Sequence, residues 1–211
     1  SCNHGGTEMG QGLNTKMAQV CADGLGISVD HVRITATDSQ KVPNASATSA
    51  SSGADINGAA IMNATAQMRE RLKPVAARML GCAEGDVTFA NNEVHGGGKA
   101  VKWADVTKQA WLDRVGLSVT GFYMTPEIKY DFTTLNGRAF YYYCYGAAVS
   151  EVEIDTRTGE WWLKAVDIVH DVGRSINPAL DKGQIEGAYV QGMGWLTMEE
   201  CIWDKKGKLL T

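Results

Sequence analysis

The sequence predicts an α+β fold with helices packed on mixed sheets, and three stretches predict it. Leu13, Met17 and Val20 resume helical spacing directly after a glycine-rich loop. Ile61, Ala64, Met68, Leu72, Val75 and Met79 carry the same period over a longer run. Phe140 to Asp155 is strongly β, with Val152 and Ile154 alternating against Glu151, Glu153 and Asp155, and Trp161 to Val169 returns as its hairpin partner after a turn at Thr156 to Gly159. With 211 residues, 44% hydrophobic and 21% charged, the chain can bury a sizeable core as one large domain or two small ones. We expect one domain over residues 1–211, with possible sub-lobes at 1–114 and 115–211.

The first element is the loop from His4 to Gly12. Four glycines in nine residues free its backbone for positive φ and close approach. Where such a loop feeds a helix, the first backbone N–H groups lack intrahelical partners and the dipole's positive end points outward, so an anion fits there. Gln11, set between Gly10 and Gly12, offers both a donor and an acceptor. The dinucleotide fingerprint does not match, because Gly10 to Thr15 lacks the third glycine. A Walker loop does not match either, because Leu13 follows Gly12. The stretch also reads as a tight strand-to-helix turn with no ligand.

The helix should end near Gly24-Leu25-Gly26 with a glycine cap, and His31 to Thr37 reads as a strand, so that helix followed by strand implies an α/β layer. Val42 to Gly53 is a run of small and hydroxyl residues that reads either as a flexible linker or, because Thr48 to Gly53 leads straight into the long helical pattern, as a second anion cradle. The long helix should kink or break before Pro74 and stop at Gly81. Beyond it we expect short strands over Asp86 to Val101 and a short helix over Lys102 to Arg114. A strand over Leu117 to Tyr123 and an irregular segment from Pro126 to Arg138 should follow. Tyr141, Tyr142, Tyr143 and Tyr145 read as core and edge packing. Asn177 and Pro178 suit a cap and first helical turn, and a last helix should run from about Asp181 to Ile202. It carries Gly183, Gly187 and Gly194 on one face with Gln191. Each glycine costs a helix about 1 kcal/mol, so the stripe suggests a closely approaching backbone or ligand. Gln184 stands beside it and makes a third cradle.

Composition removes several function classes. A net charge of −4 without a basic run argues against nucleic acid as main partner, and no stretch approaches the roughly 18 apolar residues of a membrane span. No secretory signal opens the chain, so a cytoplasmic location is expected. The five cysteines are widely spread without C-x-x-C pairing and read as reduced, mostly buried thiols. The four histidines lack metal-ligand spacing. The start at Ser1 and the unfinished hairpin at Lys206 to Thr211 suggest a segment of something longer.

If the three cradles converge, they offer N–H groups, hydroxyls and amides without a fixed cation, which suits a large anionic cofactor that brings its own chemistry. His4 to Leu13, Lys41 to Asp55, Tyr145 to Ala148, Ser150 to Gly159 and Asp171 to Trp195 resemble, in order, the molybdenum-cofactor domain of the xanthine dehydrogenase and aldehyde oxidase family of molybdenum hydroxylases. The resemblance is strongest to the separate molybdenum-binding subunit of bacterial enzymes. It implies a molybdopterin-binding fold and residue roles. Gln11 would contact the molybdopterin near the metal, with Met9 and Gly10 beside it. Thr48, Ser49, Ala50, Ser51 and Ser52 would run past the molybdenum and the pterin phosphate. Ala50 would pack against the metal's ligand sphere without ligating it, and Gln184 would be a further pterin contact. Ser49 stands where an alanine is commoner.

The resemblance further implies oxidation of hypoxanthine and xanthine to urate, in which a molybdenum-bound hydroxide attacks an electron-poor carbon and hydride passes to a sulfido ligand. Electrons would leave through [2Fe-2S] clusters to FAD and then NAD, on a partner domain or subunit, in an oligomeric enzyme. The catalytic glutamate of the family lies in a Gly-Glu-Pro motif that this sequence lacks. No catalytic residue is therefore expected within it, and alone it should be inactive. An aldehyde oxidase or aldehyde oxidoreductase of the same family, and a non-catalytic assembly or binding module, are the alternatives.

Overall fold

The computed structural model describes residues 1–35, 37, 38, 40, 41, 45, 47–49 and 51–211. The chain divides into two compact units, Ser1–Glu127 and Ile128–Thr211.

In the first unit, α1 spans Leu13–Leu25 and ends where Gly26, at φ 71°, turns its N–H back onto the carbonyls of Ala22 and Asp23. The helix α2 spans Gly53–Leu80 and ends at left-handed Gly81. It does not break at Pro74 as the sequence suggested. Proline inside a helix costs about 3 kcal/mol. Leu72, Val75 and Leu80 around it are at most 2% exposed, and burying each contributes about 1.5–3 kcal/mol, which outweighs that cost.

That buried face packs on Val87, Val94, Val106 and Ala110. Val94 comes from an antiparallel meander of β1 (Thr88–Ala90), β2 (Glu93–Gly96) and β3 (Lys99–Lys102), and Val106 and Ala110 from α3 (Trp103–Leu112). Both meander turns place two consecutive residues at positive φ, Asn91 and Asn92, then Gly97 and Gly98, which matches the twist that tight hairpins need. A second core joins the other end of α2 to α1: Ile61 meets Leu13, Met17, Cys21 and Cys2. One long helix thus serves both cores.

Two expected strands do not form among the described residues. Val29–His31 is a single 3-10 turn, and Ile34 makes only an isolated parallel bridge with Cys2, through Cys2 N–H to the Arg33 carbonyl (2.8 Å) and Thr35 N–H to the Cys2 carbonyl (3.1 Å). A two-bond partner cannot extend a sheet, so no α/β layer forms there. The segment from Gly116 to Phe122 runs instead along α2, whose side chains take the place of a neighbouring strand. Arg71 Nη1 donates to the carbonyls of Gly116 (2.7 Å) and Ser118 (2.9 Å), Gln67 Nε2 donates to Thr120 O (3.4 Å), and Asn63 Oδ1 accepts from Phe122 N–H (3.3 Å). Gly121 allows this approach, since a Cβ there would lie 2.0 Å from the Ala60 carbonyl oxygen.

The second unit is a set of hairpins and one helix. β4 (Lys129–Asp131) and β5 (Asn136–Arg138) pair where an irregular segment was expected, because Asp131 closes the turn by accepting from Thr133 N–H and Thr134 Oγ1. β6 (Gly146–Ile154) and β7 (Trp161–His170) form the expected antiparallel hairpin, although β6 starts at Gly146 and not at Phe140; the register runs from Gly146 opposite His170 to Ile154 opposite Trp161, with an irregularity at Glu151 and Val152. The helix α4 spans Pro178–Thr197. It begins three residues before the expected start, with Pro178 already in its first turn, and stops short of Ile202 because residues 202–210 turn into a small hairpin bridged at Trp203 and Leu209. Tyr141, Tyr142, Tyr143 and Tyr145 are exposed and not core. Of the five free cysteines Cys2 and Cys21 are buried, Cys82 is half-buried, and Cys144 and Cys201 are exposed, so burial holds for fewer of them than expected. No helix among the described residues is long and apolar enough to cross a membrane.

Candidate functional site

The loop before α1 is held from below by His4, which is 6% exposed. Its Nδ1 accepts from Gly6 N–H at 3.1 Å, so Nε2 carries the proton and donates to Asn14 Oδ1 at 2.9 Å. Burial keeps this imidazole below its ordinary pKa, against opposing contributions from Asn14 and the nearby Glu8 carboxylate. The ring is therefore a neutral brace. Gly6 must be glycine, since a Cβ would lie 2.3 Å from the Leu13 side chain and 3.0 Å from that of Asn57.

Above the brace the loop folds on itself. Glu8 Oε1 accepts from the N–H of Gly10 (2.9 Å) and Gly12 (3.0 Å), and Oε2 accepts from Asn14 N–H (2.9 Å). Burial raises the pKa of Glu8, but the N–H groups of Asn14, Gly10, Gly12 and Leu13 outweigh it and hold the carboxyl below the usual range. Gly10 and Gly12 take φ of 103° and 75°, which turns their N–H groups inward. The start of α1, expected from sequence to be open to an anion, is thus already served by the chain's own carboxylate. Gln11 Oε1 accepts from Met9 N–H (2.6 Å), and Nε2 donates to Thr7 O (2.8 Å). Met9 is 68% exposed.

The first and second sequence cradles meet in this unit. Thr7 N–H donates to Thr48 Oγ1 at 2.8 Å. Asn57, one turn into α2, accepts Gly5 N–H on Oδ1 (3.1 Å) and donates from Nδ2 to Gly53 O (2.8 Å), which ties the loop to the start of α2. Thr37 Oγ1 adds a bond to Gly6 O (2.9 Å). Ser51 lies at φ 56°, and Ser52 precedes the helix without capping it by its side chain, its Oγ donating to Ser49 O at 3.5 Å. Neither Gly12 nor Ser52 caps its helix through a side chain; in the first turn of α2, Ile56 N–H donates to Asp55 Oδ1 at 2.8 Å. Ala50 and part of the expected loop, Val42 to Asn44 and Ser46, lie outside the described residues.

A cavity of about 1160 Å³ opens beside this junction. Its wall includes the polar residues His4, Lys41, Thr48, Ser49, Ser52 and Asn57, the apolar Ile61 and Met68, and the 117–123 segment. Gln11 is not in its wall.

The third cradle belongs to the second unit. Gln184 is exposed and lies in the second turn of α4, because the helix begins at Pro178. The first turn of α4 is bound to its own loop, with Ser175 Oγ donating to Asp181 Oδ2 at 2.5 Å. A Cβ at Gly183 or Gly187 would meet nothing within 4 Å among the described residues, whereas at Gly194 it would lie 2.6 Å from Glu199 Oε1. No closely approaching backbone explains the first two glycines.

Sequence reasoning missed Glu8, His4 and Asn57. Glu8 had a signal: an acidic residue just ahead of a helix complements its N-terminal dipole. Asn57 had only its place one turn after Gly53, and its partnership with Gly5 joins positions 52 residues apart. Among the described residues no three His, Cys, Asp or Glu side chains gather into a metal-binding group.

The family model for the molybdopterin cofactor-binding domain matches residues 1–211. The chain is 44% identical over 200 residues to a xanthine dehydrogenase of Oryza sativa subsp. japonica, which covers 95% of this chain and 13% of that protein. It is 46% identical over 208 residues to a xanthine dehydrogenase/oxidase of Gallus gallus, covering 99% and 14% respectively. The chain thus spans about one seventh of the length of the latter. Quinoline 2-oxidoreductase from Pseudomonas putida 86 has a similar structure, with a TM-score of 0.75, 30% identity, and coverage of 99% of this chain and 26% of that one. CO dehydrogenase from Oligotropha carboxidovorans shares the fold, with a TM-score of 0.74, 24% identity, and coverage of 99% and 25%.

Proposed function

Since this chain belongs to the molybdopterin cofactor-binding domain family, we propose that it forms part of the cofactor site of a molybdenum hydroxylase that oxidises hypoxanthine and xanthine to urate. The supporting observation is the 44–46% identity to xanthine dehydrogenases across 95–99% of the chain. The donor set at the junction of the loop and α2 fits such a group. Thr48, Ser52, Asn57 and the backbone at the start of α2 offer neutral hydrogen-bonding groups to a phosphate-bearing pterin, and Lys41 belongs to the same cavity wall.

When bound, the molybdenum–molybdopterin group supplies the redox and oxygen-transfer chemistry. The chain's residues hold and orient it. Met9, Gly10 and Gln11 would hold the group at the loop edge, where the Gln11 amide keeps one acceptor lone pair and one N–H beyond its bonds to Met9 and Thr7. Thr48, Ser49, Ala50, Ser51 and Ser52 are the residues assigned to its path, and Gln184 is assigned as a further pterin contact, both as the family resemblance implies. Ala50 gives the metal room and no ligand atom. His4 stays neutral and braces the loop from beneath. FAD and [2Fe-2S] clusters, with NAD as terminal acceptor, belong in this reading to a partner domain or subunit of an oligomeric enzyme. Residues 1–211 alone turn over no substrate, since the sequence holds no Gly-Glu-Pro glutamate.

The test is the native holoprotein assayed for molybdenum and pterin and then offered xanthine and an aromatic aldehyde. Stoichiometric cofactor with xanthine turnover supports the reading. Exclusive aldehyde turnover transfers it to the aldehyde oxidoreductases, and a folded, metal-free native protein makes it a binding module.

A further inference from the structure

We propose that Glu8 is the positioning residue for Gln11, through a reciprocal clasp within the loop. The Glu8 carboxylate binds the backbone on both sides of Gln11, taking the N–H of Gly10 and of Gly12 on one oxygen. The Gln11 amide binds the backbone on both sides of Glu8, taking Met9 N–H on Oε1 and giving Nε2 to Thr7 O. Each side chain therefore fixes the peptide that carries the other. The second Glu8 oxygen reaches Asn14 N–H, so the clasp is anchored to the first turn of α1, whose Leu13 and Met17 are 2% and 0% exposed. Asn14 is in turn held by the buried His4.

The clasp has a chemical consequence for Gln11. An amide can be turned end for end at little cost where its surroundings are symmetric, but here one neighbour is an N–H and the other a carbonyl. Oε1 must lie toward Met9 and Nε2 toward Thr7, leaving one lone pair and one N–H of known placement. Glu8 keeps those two neighbours where they are, because its carboxylate draws Gly10 and Gly12 inward at positive φ. A glutamine at position 8 would offer one acceptor oxygen and an NH₂ group, so one end of the clasp would set donor against donor. The inference rests on Gln11 being a cofactor contact, as proposed above.

The experiment compares Gln11→Ala, Glu8→Gln and the double variant in the native holoprotein, measuring molybdenum and pterin per mole of folded protein alongside the thermal midpoint. Residues that orient a contacting group cost about 10–100-fold in retention when lost. Gln11→Ala and Glu8→Gln should each lower bound cofactor by about tenfold. The double variant should be no lower than Gln11→Ala, because a residue that acts through Gln11 has nothing to act on once it is gone. Full cofactor in Glu8→Gln with loss in Gln11→Ala overturns the clasp and leaves the proposed function standing. Equal further loss from Glu8→Gln in both backgrounds also overturns it, since Glu8 then serves the fold and not Gln11. Full cofactor in Gln11→Ala overturns the assignment of Gln11 and the clasp's role together. Where Glu8→Gln does not fold, Glu8→Asp, which keeps the charge and withdraws it by one methylene, is run in the same two backgrounds and read in the same way.

Discussion

Asn57 is the side chain on which the junction between the loop and α2 depends, and replacing it tests that junction directly. Asn57→Ala removes two hydrogen bonds, from Gly5 N–H and to Gly53 O. Each contributes about 1 kcal/mol, and the half-buried Gly5 N–H left without an acceptor costs about 1 kcal/mol more. A loss of about 2–3 kcal/mol is expected. Asn57→Asp keeps the acceptor for Gly5 and makes it charge-assisted, which roughly doubles that bond, while it loses the donor to Gly53 O. Its carboxylate also lies in the first turns of α2, where the dipole favours it. The aspartate variant should therefore lose about 1 kcal/mol or less. Urea unfolding followed by circular dichroism measures both, with the denaturant slope checked for constancy. Equal losses in the two variants, or a loss below about 0.5 kcal/mol in Asn57→Ala, would refute the assignment of Asn57 as the tie between Gly5 and α2.

Two further outcomes are expected. Gly121→Ala places a Cβ 2.0 Å from the Ala60 carbonyl oxygen and 2.7 Å from Ala64 N. Backbone cannot give way cheaply, so the 116–122 segment should lift from α2 at a cost of about 1–3 kcal/mol. Faster hydrogen exchange at Phe122 N–H would report this, and wild-type exchange would count against the close approach. Acidification should destabilise the first unit in two stages. His4 in the fold takes up its proton below the ordinary 6.5 of the unfolded chain, so stability falls as pH drops below 6.5 and levels off under its folded value. Glu8 is held below its ordinary 4.5, so its contribution is complete above 4.5 and is lost as pH falls through the lowered value. His4→Gln should flatten the slope of stability against pH between about 7 and 5, and an unchanged slope would show that His4 is not the group titrating.

Much of the first unit was legible in local order. The period of α1 and α2, the glycine stops at Gly26 and Gly81, the meander between them and α3, and the long hairpin of the second unit all follow from spacing and turn chemistry that act over a few residues. The reading failed where a partner at long range replaced the local rule. Leu117 to Tyr123 has strand composition, but its backbone bonds go to Arg71, Gln67 and Asn63 on a helix, and no pattern within the segment announces that. Pro74 signals a break that the buried face of α2 overrides.

The sequence by itself determined the α+β class, the glycine loop ahead of α1, and the family resemblance carried by residues such as Gln11, Thr48 and Gln184, because these depend on residue type and spacing alone. Tertiary structure alone decided which helix start is spoken for. Glu8 turns its carboxylate onto α1, while Asn57 brings Gly5 to α2 from 52 positions away. Hydrogen bonds between distant residues form only once the cores beneath them have set the distances, and a linear chain carries no record of those distances.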